Sequence, residues 1–147
     1  MRIYIDADGC PVVDSTLRLA AAHRGETGIL CDTSHEIQRP GVQTVTVSKG
    51  ADSVDFALVN RLAPGDVVIT QDYGLAAMCL AKRAKVLHQD GMRYSPDNID
   101  ALLLARHTAR KIRQAGGRLR GSAKRKPEQD RAFEEALERL LSESEPK

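Results

Sequence analysis

Tryptophan is absent from these 147 residues, which contain only three tyrosines and two phenylalanines. A surface that reads nucleobases by aromatic stacking has little material here. Cysteine is also scarce. Cys10, Cys31 and Cys79 are odd in number and widely spaced, matching neither a zinc pattern nor a disulfide framework. Reduced thiols in a cytoplasmic protein are the expectation. No apolar run approaches the roughly 18 residues of a bilayer-spanning helix, so no membrane partner is expected. The N-terminus passes almost directly into an alternating apolar segment, so no signal peptide is expected. Acids are missing from Ala101 to Pro127, a segment that carries Arg106, Arg110, Lys111, Arg113, Arg118, Arg120, Lys124, Arg125 and Lys126. The net charge of +2 hides that asymmetry.

Strand and helix patterns alternate along the chain. Strands are expected at Arg2 to Ile5, Gly28 to Cys31, Val42 to Val47, Asp66 to Thr70 and Val86 to His88. Helices are expected at Pro11 to about His23, Asp52 to Leu62, Tyr73 to Arg83, Ser95 to about Gln114 and Glu128 to Leu141. Phe133, Ala136, Leu137, Leu140 and Leu141 make an apolar stripe on the last of these. The alternation predicts an α/β fold, a mostly parallel central sheet with helices on both faces. One domain is expected: an α/β core over 1–115, a basic Gly-rich loop over 116–127, and a C-terminal amphipathic helix over 128–147 packed on the core.

Five aspartates sit where such a sheet would gather them. Asp6 and Asp8 close the first apolar run, and Asp72 closes the run Asp66-Val67-Val68-Ile69-Thr70-Gln71-Asp72. Asp52 and Asp55 are three apart, neighbours on one face of a helix. Ligands of open α/β sheets bind beyond the carboxyl ends of the strands. Clustered carboxylates repel unless a cation offsets them. Hard cations favour carboxylate oxygens, so the constellation predicts a Mg²⁺ or Mn²⁺ site. Asp6, Asp8 and Asp72 are the candidate metal ligands, and Asp6, Asp52, Asp55 and Asp72 the candidate catalytic acids. An acid that ends a central apolar strand is costly without a use, which singles out Asp6. The roles left open for the others are a turn (Asp8), a helix cap (Asp52, Asp72) and a solvated helix face (Asp55).

Three ordered motifs carry a family likeness: Asp6-Ala7-Asp8-Gly9-Cys10-Pro11, Gly50-Ala51-Asp52-Ser53-Val54-Asp55, and Gly65 through Ala76 with Gln71-Asp72-Tyr73-Gly74 at its centre. Gly91-Met92-Arg93-Tyr94 and Asp130-Arg131-Ala132-Phe133 extend it over nearly the whole chain. Together they resemble the YaiI/YqxD family of bacterial proteins. The resemblance implies a single PIN-like domain, the fold of many metal-dependent ribonucleases. It implies acids after strand one, on a central helix and after a later strand, places that Asp6, Asp52 or Asp55, and Asp72 occupy. Gly121 is followed by Ser122, where the family usually has Gly-Pro.

The acid-free segment reads either as a phosphate-binding surface or as a solvated face and tail. RNA is the expected partner, held sequence-blind through its backbone. Candidate contacts are Lys49, Arg93, Arg106, Arg110, Arg113, Arg118, Arg120, Lys124, Arg125 and Lys126. Thr70 stands two residues before Asp72, where its hydroxyl could orient a water. Cys10 is expected to open the first helix, where the dipole would lower its thiol pKa. The function expected is a divalent-metal-dependent nuclease. The alternatives are a non-catalytic PIN-like module binding RNA or protein, and a haloacid-dehalogenase-type phosphatase. The last starts from a strand and Asp-x-Asp-Gly, as in Asp6-Ala7-Asp8-Gly9, but the chain lacks its later lysine and paired-acid motifs.

Overall fold

The central apolar runs, Ile3 to Ile5 and Val67 to Ile69, are buried on both faces and pair side by side. A computed structural model describes residues 1–33, 36–48, 53–116 and 124–144. Among these, the strands are β1 (Arg2–Asp6), β2 (Glu26–Asp32), β3 (Gln43–Val47), β4 (Val67–Ile69), β5 (Lys85–Leu87) and β6 (Arg93–Tyr94). The helices are α1 (Val13–Ala22), α2 (Ser53–Val59), α3 (Tyr73–Ala81), α4 (Ile99–Gln114) and α5 (Pro127–Ser144). The sheet order is β3-β2-β1-β4-β5-β6. All pairings are parallel except β5 with β6. The expected mostly parallel α/β architecture is therefore the observed one.

Period-two alternation sorts the strand residues into two cores. Ile3, Ile5, Ile29, Cys31, Val67 and Ile69 point to one face, under α1 and the α5 residues Phe133, Leu137, Leu140 and Leu141. Tyr4, Leu30, Val68 and Val86 point to the other, under α2, α3 and the start of α4. With Ile5 opposite Ile69, Asp6 falls on the Tyr4 side at the end of β1. The chain runs outward from β1 to β2 and β3, then returns to β1's other edge with β4. That reversal leaves a crevice at the carboxyl ends of β1 and β4, the usual ligand position in such sheets.

Local chemistry explains several boundaries. Asp72 caps α3, its Oδ1 accepting from the backbone N–H of Gly74 at 2.9 Å and of Leu75 at 3.2 Å. Pro127 stands first in α5, where a missing N–H is harmless. Asp66, buried at the start of β4, accepts from the N–H of Arg2 at 3.0 Å and of Ala63 at 2.9 Å. Those bonds satisfy a carboxylate that burial would otherwise penalise.

Some elements differ from the sequence expectation. α1 begins at Val13, so Cys10 lies ahead of the helix in the turn closed by Cys10 N–H to the Ala7 carbonyl at 3.1 Å. α2 ends at Val59, and Asn60 to Leu62 continue as turn. β6 was not expected, because two residues present no periodicity to read. It is fixed by a tight turn, with His88 N–H donating to the Met92 carbonyl at 2.8 Å and Gly91 N–H to the His88 carbonyl at 2.9 Å. Among the described residues no helix is long and apolar enough to cross a membrane.

Gly91 links the turn to α5. Its φ is +94°, and a Cβ there would lie 2.7 Å from the Ala132 carbonyl oxygen. Gly65 has nearly the same φ, +90°, but nothing within 4 Å of a Cβ. Gly65→Ala should therefore cost only the backbone strain, about 1–2 kcal/mol. Gly91→Ala should cost at least about 1 kcal/mol more, because backbone rather than a flexible side chain must move. Urea unfolding of both variants measures the difference. Equal losses would show that α5 does not sit against the β5–β6 turn.

Candidate functional site

Each acid reaches the crevice by a different route. Asp6 is the last residue of β1. Asp8 follows in the turn of Ala7 to Cys10, since the strand stops before it. Asp55 lies in the first turn of α2. Asp72 follows β4 and caps α3. All four line one cavity of about 540 Å³, together with Asp32, Ser53, Val54, Gln71, Tyr73 and Arg106. Asp32, the last residue of β2, was missed by sequence reasoning. The signal was available: it closes Gly28-Ile29-Leu30-Cys31 as Asp6 closes its own run. Two residues beyond Leu30, it falls on the same sheet face as Asp6.

Hydrogen bonds tie the ends of β1 and β4 together. The Thr70 hydroxyl donates to Asp6 Oδ2 at 2.8 Å and accepts from the Asp72 N–H at 3.0 Å. Thr70 is only 2% exposed. It thus orients the Asp6 carboxylate and fixes the start of the Asp72 cap. Arg106, on α4, places Nη1 3.1 Å from Asp72 Oδ1. That oxygen also receives the two α3 amides, and none of these three bonds goes to Oδ2.

Asp6 pays electrostatically for its position. Burial raises its pKa to about 6, and the charges of Asp55, Asp8 and Asp72 push the same way against the Thr70 hydrogen bond. The neighbouring thiol behaves differently from expectation: burial raises the Cys10 pKa, outweighing the backbone hydrogen bond from Val12 at the start of α1, which lowers it. Behind the cavity, Tyr73 packs edge-on against Tyr94, with ring centroids 5.9 Å apart, and tilts against His88 at 6.5 Å. This aromatic support braces the α3 side of the crevice.

The basic candidates separate. Among the described candidates, Arg106 alone lines the cavity. Arg93 pairs with Glu143 of α5 at 3.0 Å. Arg125 pairs with Asp90 at 2.6 Å and Asp130 at 2.8 Å and also donates to the Gln89 carbonyl. Arg93 and Arg125 therefore hold α5 and its approach to the β5–β6 turn. Arg110 and Arg113 are exposed further along α4, and Lys124 and Lys126 flank Arg125 before α5. Lys49, Asp52, Arg118 and Arg120 lie outside the described residues.

The donor set fits a hydrated divalent cation rather than a closed cage. All five acids in the cavity offer hard carboxylate oxygens. Mg²⁺ commonly takes one or two of these and keeps several waters. Among the described residues, no group of three or more His, Cys, Asp or Glu side chains is close enough to hold a metal ion by itself.

Comparison with known proteins places the chain. The family model described as "Uncharacterized BCR, YaiI/YqxD family" matches residues 4–143. A "UPF0178 protein" of Exiguobacterium sibiricum is 51% identical over 143 residues, covering 97% of this chain and 98% of that one. "UPF0178 protein CA_C2825" of Clostridium acetobutylicum is 46% identical, covering 96% and 97%. A "UPF0178 protein" of Ruminiclostridium cellulolyticum is 50% identical over 137 residues, covering 93% and 90%. The chain belongs to the YaiI/YqxD family. No solved structure matches it.

The raised Asp6 pKa sets a pH dependence. The folded protein holds this proton to about pH 6, whereas an unfolded aspartic acid releases it near 3.8. The group's stabilising contribution is therefore present below the unfolded value and is lost as pH rises from about 4 through 6. In EDTA, Asp6→Asn should be more stable than wild type at pH 8, by up to about 3 kcal/mol. Most of that margin should vanish by pH 4. Urea unfolding at the two pH values checks it, and a margin independent of pH would contradict the account.

Proposed function

We propose that this chain is a divalent-metal-dependent phosphodiesterase with a PIN-like arrangement of acids, acting on RNA. The observation that carries the reading is the convergence of five aspartates and one arginine in the crevice where the sheet's strand order reverses. Burial is the larger cause of the raised Asp6 pKa, and the nearby charges of Asp55, Asp8 and Asp72 add to it. Such a cluster fits a site whose working state includes a cation. The PIN-like reading is supported by acids arriving from the end of β1, from α2 and from beyond β4.

A divalent cation bound there would supply Lewis acidity and offset the carboxylate charge. Asp6 and Asp72, from adjacent strands, would hold it, with Asp8 alongside. The side chains have their own tasks. With a cation held there, Asp6 stays a carboxylate, placed to accept a hydrogen bond from the attacking water. Thr70 donates to its Oδ2, so Oδ1 is the oxygen left to face the crevice. Arg106 supplies a positive charge at the crevice, suited to a non-bridging phosphate oxygen. Engaging phosphate would draw it from Asp72, whose cap on α3 persists through the two amides.

A non-catalytic RNA-binding module is the second reading. It is favoured by the engagement of Asp72 with α3 and Arg106, and by the lack of a three-ligand group among the described residues.

The two readings diverge in one assay. Purified protein with end-labelled single-stranded RNA should cleave it in Mn²⁺ or Mg²⁺ and be silent in EDTA. Asp6→Asn should lower the rate at least about 100-fold, the scale of losing a carboxylate positioned at the reacting water. Asp14→Asn, on the exposed face of α1 and paired with Arg39, should retain wild-type activity. RNA binding without metal-dependent cleavage would establish the second reading. Cleavage that resists EDTA, or equal rates in wild type and Asp6→Asn, would overturn the proposal.

A further inference from the structure

We propose that α4 carries a phosphate track for single-stranded nucleic acid, formed by Arg106, Arg110 and Arg113 and leading into the acidic crevice. This rests on the phosphodiesterase reading of the crevice and names the shape of its substrate: a strand longer than the reacting linkage.

The first observation is a change of character along one helix face. At the start of α4, Ile99 is buried and Leu102 and Leu103 pack against the core. At spacings of three and four the same face continues as Arg106, Arg110 and Arg113. An ordinary amphipathic helix would keep that stripe apolar. Here the large apolar residues of the later turns are elsewhere: Leu104 is 65% exposed and Ile112 40%. From Leu104 on, these two apolar residues and the arginines alike are exposed, so packing does not set the choice of arginine along that row.

The second observation is where the row begins. Arg106 lines the crevice, next to the acids. Arg110 and Arg113 follow along the helix, extending the row by about 10 Å at 1.5 Å per residue. That is enough for more than one phosphate beyond the reacting one. The third is electrostatic. Among the described residues, Arg110 and Arg113 have no ion-pair partner, whereas Arg93 and Arg125 are taken up by acids. No acid follows Asp100 in α4. The row is thus a positive stripe running from an acidic crevice, a pattern that places a polyanion over the arginines and admits one linkage to the acids. The scarcity of aromatic residues points to backbone contact without base readout.

Fluorescence anisotropy in EDTA tests this without relying on cleavage. The probes are labelled octauridylate and diuridylate, and the variants are R110Q/R113Q and R110K/R113K. Wild type should bind the octamer more tightly than the dimer. In R110Q/R113Q that preference should collapse, with octamer affinity falling roughly tenfold and the salt slope shrinking by about 1.4, or 0.7 per lost single-strand contact. R110K/R113K, which keeps the charge, should retain the wild-type slope. Unchanged affinity and slope in R110Q/R113Q would overturn the track. So would tighter binding of an octamer duplex than of the single strand, since the class of partner would then be wrong. Salt-dependent octamer binding with no cleavage in Mn²⁺ would sink the phosphodiesterase reading while leaving the track standing.

Discussion

The Thr70 hydroxyl, donating to Asp6 and accepting from the Asp72 amide, joins the two central strands where like charges meet. The hydrophobic pattern of β1 and β4 fixes their parallel register, and that register brings the first acid beside the second strand's end. Repulsion follows from topology. The molecule answers it unevenly. Asp72 gains two helix amides and a guanidinium. Asp6 gains one hydroxyl and holds its proton to about pH 6. A fold optimised only for stability would place a neutral residue at position 6, because the apolar strand around it asks for none of this. The raised pKa of Asp6 marks the end of β1 as the place where carboxylate charge is least favoured.

Stability and function are divided between the two faces of the sheet. On one side α1 and α5 close a largely apolar core, and ion pairs such as Arg93 with Glu143 and Arg18 with Glu134 trim its rim. Exposed pairs of this kind contribute little each, so the buried Phe133, Leu137, Leu140 and Leu141 do most to hold α5. On the other side α2, α3 and α4 start near the strand ends and bring Asp55, Tyr73 and Arg106 to the crevice. The aromatic contact of Tyr73 with Tyr94 carries the rigidity of the apolar layer up to that crevice.

What the sequence made legible were features with local causes. Alternating apolar runs marked the strands, and an acid closing such a run marked Asp6 and Asp72. Asp32 obeyed the same rule and was passed over because its run is short and β2 extends beyond it on both sides. What stayed illegible were long-range pairings. Arg93 and Arg125 read as candidate phosphate contacts, but partners 50 and 35 residues away take them up. No periodicity encodes that. The start of α1 was also misplaced: without a side-chain cap, the helix begins two residues after Pro11. The Cys10 thiol still takes a backbone hydrogen bond from Val12 at the helix start, but burial outweighs it and raises the pKa.

The central claim is that the carboxylates at the ends of β1 and β4 are a cation site waiting to be filled. A crystal structure of the protein grown with Mn²⁺, using the anomalous signal to locate the metal, tests it most directly. The account predicts a peak in the crevice with an Asp6 carboxylate oxygen at about 2.1–2.3 Å, a second ligand from Asp72 or Asp8, and waters completing the shell. An empty crevice at saturating Mn²⁺, or a peak bound only by surface acids elsewhere, would contradict it.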